Sequence, residues 1–189
     1  MRFRPTLIPG AVLIELDPHR DERGFFARTW DVEAFEREGL PTSLVQASMS
    51  RNHRRGTVRG MHLQSPPSAE GKLVRCARGA VYDVVIDLRP DSPTYGRHVG
   101  VELTAEAGNA LFIPPLLAHG FQTLADDTDV FYQMTDVYVP ALGLGVRWDD
   151  PAFGIDWPIQ EDITIAARDR DYPDFDHGAW VARLEGARR

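Results

Sequence analysis

Short apolar stretches recur along the chain at close spacing. The stretch "VYDVVIDL" at 81–88 is nearly apolar on both faces, which is typical of a strand inside a β-sandwich. Turn-forming Pro, Gly, Asp and Asn separate most of these stretches. The pattern predicts strands over Ala11–Leu16, Leu44–Ser50, Thr57–Leu63, Lys72–Ala77, Ala80–Leu88, Val99–Leu103, Ala110–Ile113, Ala118–Leu124 and Asp129–Thr135.

Helical periodicity is scarce. A short helix is predicted over Asp31–Glu38, with Asp31 as its N-cap, and another over Trp180–Glu185. The segment after Trp157 has little strand pattern, and we expect it to pack back across the strands. Many short strands with few helices predict an all-β sandwich or jelly roll, whose interior can hold a small ligand.

Composition and charge narrow the class of protein. The 189 residues are 43% hydrophobic and 26% charged, as in globular proteins, and their length predicts one domain over residues 1–189. The net charge of -7 argues against nucleic-acid binding but is compatible with a local basic pocket for a phosphorylated small molecule.

The number of cysteines and the lengths of the apolar stretches indicate the cellular compartment of the protein. Cys76 is the only cysteine, so no intrachain disulfide forms, and we expect it to fill space in a strand. Pro5, Pro9 and Glu15 interrupt the apolar residues of the N-terminal stretch, which is therefore not expected to be a signal peptide. No apolar run approaches membrane-spanning length, and we predict a cytoplasmic protein without a membrane partner.

Several polar residues fall on predicted strands where the pattern favours apolar ones. They are Arg59, His62, Lys72, His119, Tyr132 and, six residues further along, Tyr138. Buried charges and imidazoles need partners, and a cavity that gathers these groups suits an anionic ligand and proton transfer. A single strand histidine is more often structural, so His62 alone does not decide the matter. Asp83 either pairs with a cation of such a cavity, for example His119, or is structural.

Seven stretches carry a more specific signal. They are "DERGFF" (21–26), "GTVRGMHLQ" (56–64), "GKLVRCARGAVYDVVIDLRPDSPTYG" (71–96), "FIPPLLAHGFQTL" (112–124), "YQMTDVYVP" (132–140), "RWDDPAFGIDWP" (147–158) and "ARDRDYP" (167–173). In this order, over roughly residues 10–175, they resemble the family of dTDP-4-dehydrorhamnose 3,5-epimerases. The resemblance implies a cupin-type jelly roll, a homodimer, and an isomerase of deoxysugar biosynthesis that needs neither metal nor cofactor.

The same resemblance assigns the catalytic roles. A proton next to the C4 ketone of a nucleotide-linked 4-keto-6-deoxy sugar leaves from one face and returns on the other. This reaction needs a base, an acid and a group that stabilises the enolate oxygen. By resemblance His62 is the base, oriented by Asp169, and Tyr132 is the acid, since phenols carry their proton at neutral pH. Lys72 would stabilise the enolate.

Substrate contacts are implied by resemblance as well. The residues that match binding positions of the family are Arg23, Phe26, Arg59, His119, Tyr138 and Arg168. Three sites depart from the usual family pattern. The chain has Gln46-Ala47-Ser48 where the family usually has Gln-Asp-Asn. It has Arg28 and Gly143 at two positions where the family usually has a glutamate. Lost or reversed polar partners change selectivity, so we expect altered recognition of the nucleotide or the sugar.

Several alternatives remain open at this point. One is a mono-epimerase that inverts only C3 or C5, on a CDP, GDP or UDP sugar. Others are a sugar 3,4-ketoisomerase and a non-catalytic binding protein. A metal-dependent cupin enzyme is a more remote alternative, because no His-x-His occurs and Arg59 and Lys72 would repel a cation.

Overall fold

The computed structural model describes residues 1–187 and shows two large β-sheets packed face to face. Residues 188 and 189 of the predicted domain lie outside this described part. The strands are β1 (Arg2–Pro5), β2 (Val12–Glu15), β3 (His19–Asp21), β4 (Gly24–Phe26), β5 (Gln46–Asn52), β6 (Thr57–Gln64), β7 (Lys72–Arg78), β8 (Ala80–Asp87), β9 (His98–Thr104), β10 (Ala110–Ile113), β11 (Leu117–Thr123), β12 (Thr128–Met134), β13 (Gly143–Gly145) and β14 (Thr164–Ile165). The helices are α1 (Val32–Arg37), α2 (Ala167–Arg170) and α3 (His177–Ala187), with a 3₁₀ turn at Pro140–Leu142.

Each sheet takes strands from distant parts of the chain. The first has the order β1-β2-β10-β7-β12-β5, and the second has the order β13-β6-β11-β8-β9, with β14 parallel to β6. All other pairs are antiparallel, and β3 and β4 form a separate hairpin. The all-β, cupin-type jelly roll predicted from the sequence is confirmed.

The main apolar core lies between the two sheets. It includes Val74 and Val130 from the first sheet and Val85 and Phe121 from the second. Such inward-facing side chains interdigitate between sheets about 10 Å apart.

The outer face of each sheet is covered by other elements. Phe35 of α1 packs on the first sheet, and Asp31 caps this helix by accepting the Ala34 N–H at 3.0 Å. Trp157 and Trp180 pack on the second sheet, and the Trp180 indole donates to the Leu88 carbonyl at 2.7 Å. The segment after Trp157 therefore packs back across the strands, as expected from its sequence.

The nine predicted strands and both predicted helices are confirmed, with bounds shifted by a few residues. Strands β1, β3, β4, β13 and β14 and helix α2 were not predicted, because they are too short or too exposed for apolar alternation to appear. Whether the chain is a single domain stays a prediction. None of the helices in residues 1–187 is long and apolar enough to cross a membrane.

Candidate active site

A cavity of about 580 Å³ is lined by residues of both sheets. Its lining residues include Gln46, Ala47, Ser48, His62, Glu70, Lys72, Tyr132 and Tyr138. A smaller chamber of about 200 Å³, termed the inner chamber, adjoins it and shares His62, Lys72 and Tyr132 with it. The chamber is also lined by Ser50, Arg59, His119, Phe121 and Asp169. Strand residues separated widely in sequence thus converge on one polar cavity.

His62 is paired with a buried carboxylate. Its Nε2 lies 2.8 Å from Oδ1 of Asp169, which sits on α2. Burial acts to raise the pKa of Asp169, but the hydrogen bonds from His62 and the Gly60 N–H outweigh it, and the pKa is lowered. An ionised carboxylate only accepts, so Nε2 donates. In a neutral imidazole with this tautomer, Nδ1 is the atom that can accept a proton.

A close contact between two strands fixes the position of this pair. Gly60 of β6 and Gly120 of β11 meet where the register between these strands shifts. A Cβ on Gly60 would lie 2.5 Å from the Gly120 Cα, and the Gly60 φ is +124°. The Gly60 N–H donates to Oδ2 of Asp169 at 3.2 Å. The glycine therefore holds the carboxylate that orients the neighbouring His62.

Tyr132 reaches the cavity from the other sheet. It lies on β12, between Ser48 of β5 and Val74 of β7, and its ring packs partly against the core. His62 belongs to β6 in the second sheet, so the phenol and the imidazole line the cavity from opposite sheets. This arrangement suits a reaction that removes a proton from one face of a ligand and delivers one to the other.

Lys72 begins β7 and is part of a buried ion pair. Its Nζ lies 2.5 Å from Oε2 of Glu70, and both side chains line the large cavity. Glu70 was not singled out in the sequence, because it lies in the turn before the strand, where alternation predicts no side-chain direction. The sequence does contain one indication of Glu70: it is an acidic residue two positions before Lys72, which was itself predicted to face the cavity.

A second histidine–aspartate pair lies deeper. His119 Nε2 lies 2.7 Å from Oδ1 of the fully buried Asp83, so the contact between these residues, one of the two alternatives left open for Asp83, is present. His119 is also the register partner of His62 across β11 and β6. Arg59, on the same strand as His62, donates to the Asn52 side chain at 2.7 Å and faces the inner chamber.

The cavity rim holds some of the predicted substrate-binding residues. Gln46, Ala47 and Ser48 line it, and the Gln46 side chain accepts the backbone N–H of Tyr138 at 2.7 Å. Gly143 lies just behind the rim, where an added Cβ would lie 3.3 Å from the Tyr138 hydroxyl. A glutamate at this position would crowd Tyr138 and the Pro140 carbonyl, and the glycine avoids both contacts.

Four other predicted contacts do not line the cavity of their own chain. Arg23 and Phe26 belong to the β3–β4 hairpin, with Arg23 bound to Asp21 and Phe26 74% exposed. Arg28 donates to Asp31 at 2.9 Å. Arg168 is exposed on α2, and its hydrogen bond to Tyr172 raises the pKa of its guanidinium.

The described residues hold no ready-made metal centre. In residues 1–187, no three or more His, Cys, Asp and Glu side chains form a group that could hold a metal ion. Cys76 is 2% exposed in β7, and the carbonyl of Arg78 accepts its thiol hydrogen at 3.0 Å, as expected for a cysteine that fills space.

Comparisons with known proteins agree with this geometry. The family model described as dTDP-4-dehydrorhamnose 3,5-epimerase matches residues 5–177. The dTDP-4-dehydrorhamnose 3,5-epimerase of Methanothermobacter thermautotrophicus is 42% identical, covering 90% of this chain and 92% of its own. The dTDP-4-dehydrorhamnose 3-epimerase of Streptomyces niveus is 39% identical, with coverage of 90% and 82%. The crystal structure of dTDP-4-dehydrorhamnose 3,5-epimerase from Bacillus anthracis with TDP and PPi bound superposes with a TM-score of 0.88 at 36% identity, over 92% of this chain and 99% of that one.

Proposed function

The chain belongs to the dTDP-4-dehydrorhamnose 3,5-epimerase family, and on this premise we propose how its own residues carry out the reaction. It is an isomerase, an epimerase of nucleotide-linked 4-keto-6-deoxyhexoses. We propose dTDP-4-dehydro-6-deoxyglucose as the substrate and inversion at both C3 and C5. The observation that carries the proposal is the position of His62 and Tyr132 on opposite sheets across one cavity.

The proton leaves through His62. The C4 carbonyl acidifies the hydrogens at C3 and C5, and the free Nδ1 of His62 takes one of them. The electron pair of the broken C–H bond moves through the new C=C bond onto the C4 oxygen and forms an enolate. Asp169 stabilises the resulting imidazolium through its 2.8 Å contact with Nε2. Lys72 donates to the enolate oxygen, where a positioned cation lowers the barrier.

The proton returns through Tyr132. Its hydroxyl protonates the same carbon from the opposite face, the enolate electrons re-form the C4 carbonyl, and the stereocentre is inverted. Solvent then returns a proton to the phenolate and removes one from the imidazolium. Repetition at the other carbon gives the doubly inverted product.

The remaining polar residues would bind the rest of the substrate. Arg59 and His119 face the inner chamber and offer donors to sugar hydroxyls or a diphosphate oxygen. Gln46, Ser48 and Tyr138 line the outer cavity, where a nucleoside would lie. Arg168 stays a predicted contact of the nucleotide, and Arg28 and Gly143 stay predicted contacts of the nucleotide or the sugar.

A homodimer is part of the proposal. Strand β5 is an open edge of its sheet beside the cavity, and exposed strand edges pair readily. Met49 on this strand is 61% exposed. The residues of β4 in the β3–β4 hairpin are exposed as well. A second copy that places its hairpin over this edge would bring its Arg23 and Phe26 to the substrate. A cytoplasmic location stays a prediction.

Hybrid dimers test this arrangement. Arg23→Ala and His62→Ala chains are each expected to lose activity, and refolding them together should restore up to a quarter of the wild-type rate. Restoration requires that Arg23 and His62 of one site come from different chains. If the mixture stays inactive while light scattering shows dimers, the two residues act within one chain.

Deuterium exchange tests the reaction itself. The enzyme is incubated in D2O with dTDP-, CDP-, GDP- and UDP-4-keto-6-deoxyglucose, and deuterium at C3 and C5 is followed by NMR. Incorporation at both carbons of the dTDP sugar is the expected result. The absence of exchange with every nucleotide would contradict an epimerase.

A mono-epimerase is the second candidate. It is favoured by the 39% identity to the Streptomyces niveus protein named dTDP-4-dehydrorhamnose 3-epimerase. The lack of a side chain at Gly143 and the short side chains of Ala47 and Ser48 also alter the cavity rim. In the same experiment, deuterium at C3 alone would support this candidate.

A further inference from the structure

Glu70 and Lys72 form a buried ion pair in the candidate active site. Both side chains line the cavity that also holds His62 and Tyr132. The Glu70 side chain is 4% exposed and that of Lys72 is 14% exposed, with Oε2 and Nζ 2.5 Å apart. An ion pair that is withdrawn from water and faces the reaction cavity is costly to fold, because both ions lose hydration.

The surroundings hold Glu70 rigidly. Its backbone N–H donates to the Ser68 hydroxyl at 3.2 Å, and Ser68 in turn donates to Asp136 at 3.0 Å. The next residue, Gly71, donates to the Thr135 hydroxyl at 2.8 Å. The carboxylate therefore sits on an anchored turn, whereas a lysine side chain has four flexible torsions of its own.

We propose that Glu70 is a positioning residue, which fixes the Lys72 ammonium at the place where the C4 oxygen of the substrate becomes an enolate. The role rests on the proposed function, since it concerns the enolate of that reaction. One Lys72 N–H donates to Glu70, and the remaining two are available for the substrate oxygen. A donor that is already oriented needs no rearrangement as the negative charge develops.

A double-mutant cycle tests the proposal. Glu70→Gln keeps the shape of the side chain but removes its charge, and Glu70→Ala removes the contact. We expect kcat for C3 and C5 exchange to fall about tenfold in Glu70→Gln and further in Glu70→Ala, with KM changed less than about threefold, since transition-state donors act mainly on kcat. In a Lys72→Met background, Glu70→Gln should have no further effect. If the double variant loses as much activity as the product of the two single losses, the two residues act independently and the proposal is wrong.

Controls separate this role from folding and from the proposed function. Glu36→Gln, on the exposed face of α1, should leave the rates unchanged. If wild-type protein shows no exchange, the proposed function fails, and the positioning role is then decided by crystal structures alone. These should show Lys72 Nζ in one place in the wild type and displaced in Glu70→Gln and Glu70→Ala. An unchanged Nζ position in both variants, or undiminished exchange in an active enzyme, would rule the role out.

Discussion

Asp169 contacts His62 across a separation of 107 residues, and its Oδ1 lies 2.8 Å from Nε2 of the imidazole. The two residues belong to different kinds of element, a four-residue helix and a central strand. The contact therefore depends on the docking of the segment after Trp157 against β6, where β14 also pairs. Proton transfer at His62 is expected to depend on the complete packing of that segment.

Asp169→Asn tests the tautomer of His62. The Asn amide can donate to Nε2, which leaves the ring hydrogen on Nδ1 and removes the lone pair that faces the cavity. We expect exchange at C3 and C5 to fall by about 10²–10⁴-fold, the usual contribution of general base catalysis. NMR rates in D2O measure the effect, and an unchanged melting temperature shows that the fold is kept. A loss smaller than about threefold would contradict the role of Asp169.

Tyr132→Phe tests the acid. The variant lacks the donor on the first sheet but retains His62, which can remove a proton and return a deuteron to the same face. We expect deuterium incorporation with retention to persist, whereas the inverted product falls about 10²-fold or more. Tyr138→Phe is the matched control at the cavity rim, and it should affect KM rather than the stereochemical outcome. Equal losses of exchange and inversion would show that Tyr132 is not the acid.

Gly60→Ala tests the close contact between β6 and β11 near His62. The added Cβ would lie 2.5 Å from the Gly120 Cα, so the strands must separate. The matched control is Gly24→Ala, because Gly24 has the same φ of +124° but no atom within 4 Å of an added Cβ. We expect Gly60→Ala to lower the free energy of unfolding by about 2 kcal/mol more than Gly24→Ala does. Denaturant unfolding of both variants measures the difference, and equal losses would mean that backbone strain alone is responsible.

The lowered pKa of Asp87 predicts that the folded protein loses stability in acid. Burial acts to raise its pKa, but hydrogen bonds from Arg89, Ser92 and Thr94 outweigh it and hold the pKa at about 2. A lowered carboxyl pKa stabilises the fold above the ordinary value of 3.8, and the contribution disappears as the pH falls toward 2. We expect Asp87→Asn to lose about 2 kcal/mol at pH 7 and much less at pH 2. The exposed Asp156→Asn is the control, and a loss independent of pH would contradict the prediction.

Cys76 is expected to be unreactive in the folded protein. Burial raises the pKa of its thiol to about 11, so little thiolate is present at pH 8. Iodoacetamide at pH 8 should leave the native protein unmodified, and mass spectrometry should show one adduct after unfolding in urea. Rapid alkylation of the native protein would show that β7 opens to solvent.

The sequence predicted the sheets better than the cavity. Strands such as 80–88 are recognisable because their apolar run is bounded by turn residues, and the capped helix at Asp31 is recognisable from its local chemistry. The pairing of His62 with Asp169 has no local signature and was expected only through the family resemblance. Glu70 was missed because a residue in a turn has no periodicity to reveal which way it faces.

The predicted binding residues fall into two groups for a physical reason. Those on β5, β6, β7, β11 and β12 reach the cavity because neighbouring strands bring them together. Arg23 and Phe26 lie on a hairpin that pairs with neither large sheet, so the position of this hairpin depends on what packs against it. A single chain is therefore insufficient to predict their role.

The apolar core lies between the sheets that carry His62 and Tyr132, the proposed base and acid. Val74 pairs with Tyr132 across β7 and β12, and it packs with Phe121 and Val130 between the sheets that carry Tyr132 and His62. The side chains of this cluster act as a spacer, since their summed volume determines how far apart the two sheets stand. On the proposed roles of these two residues, stereochemical fidelity is expected to depend partly on interior packing, and core variants that fold normally are expected to return some protons to the wrong face.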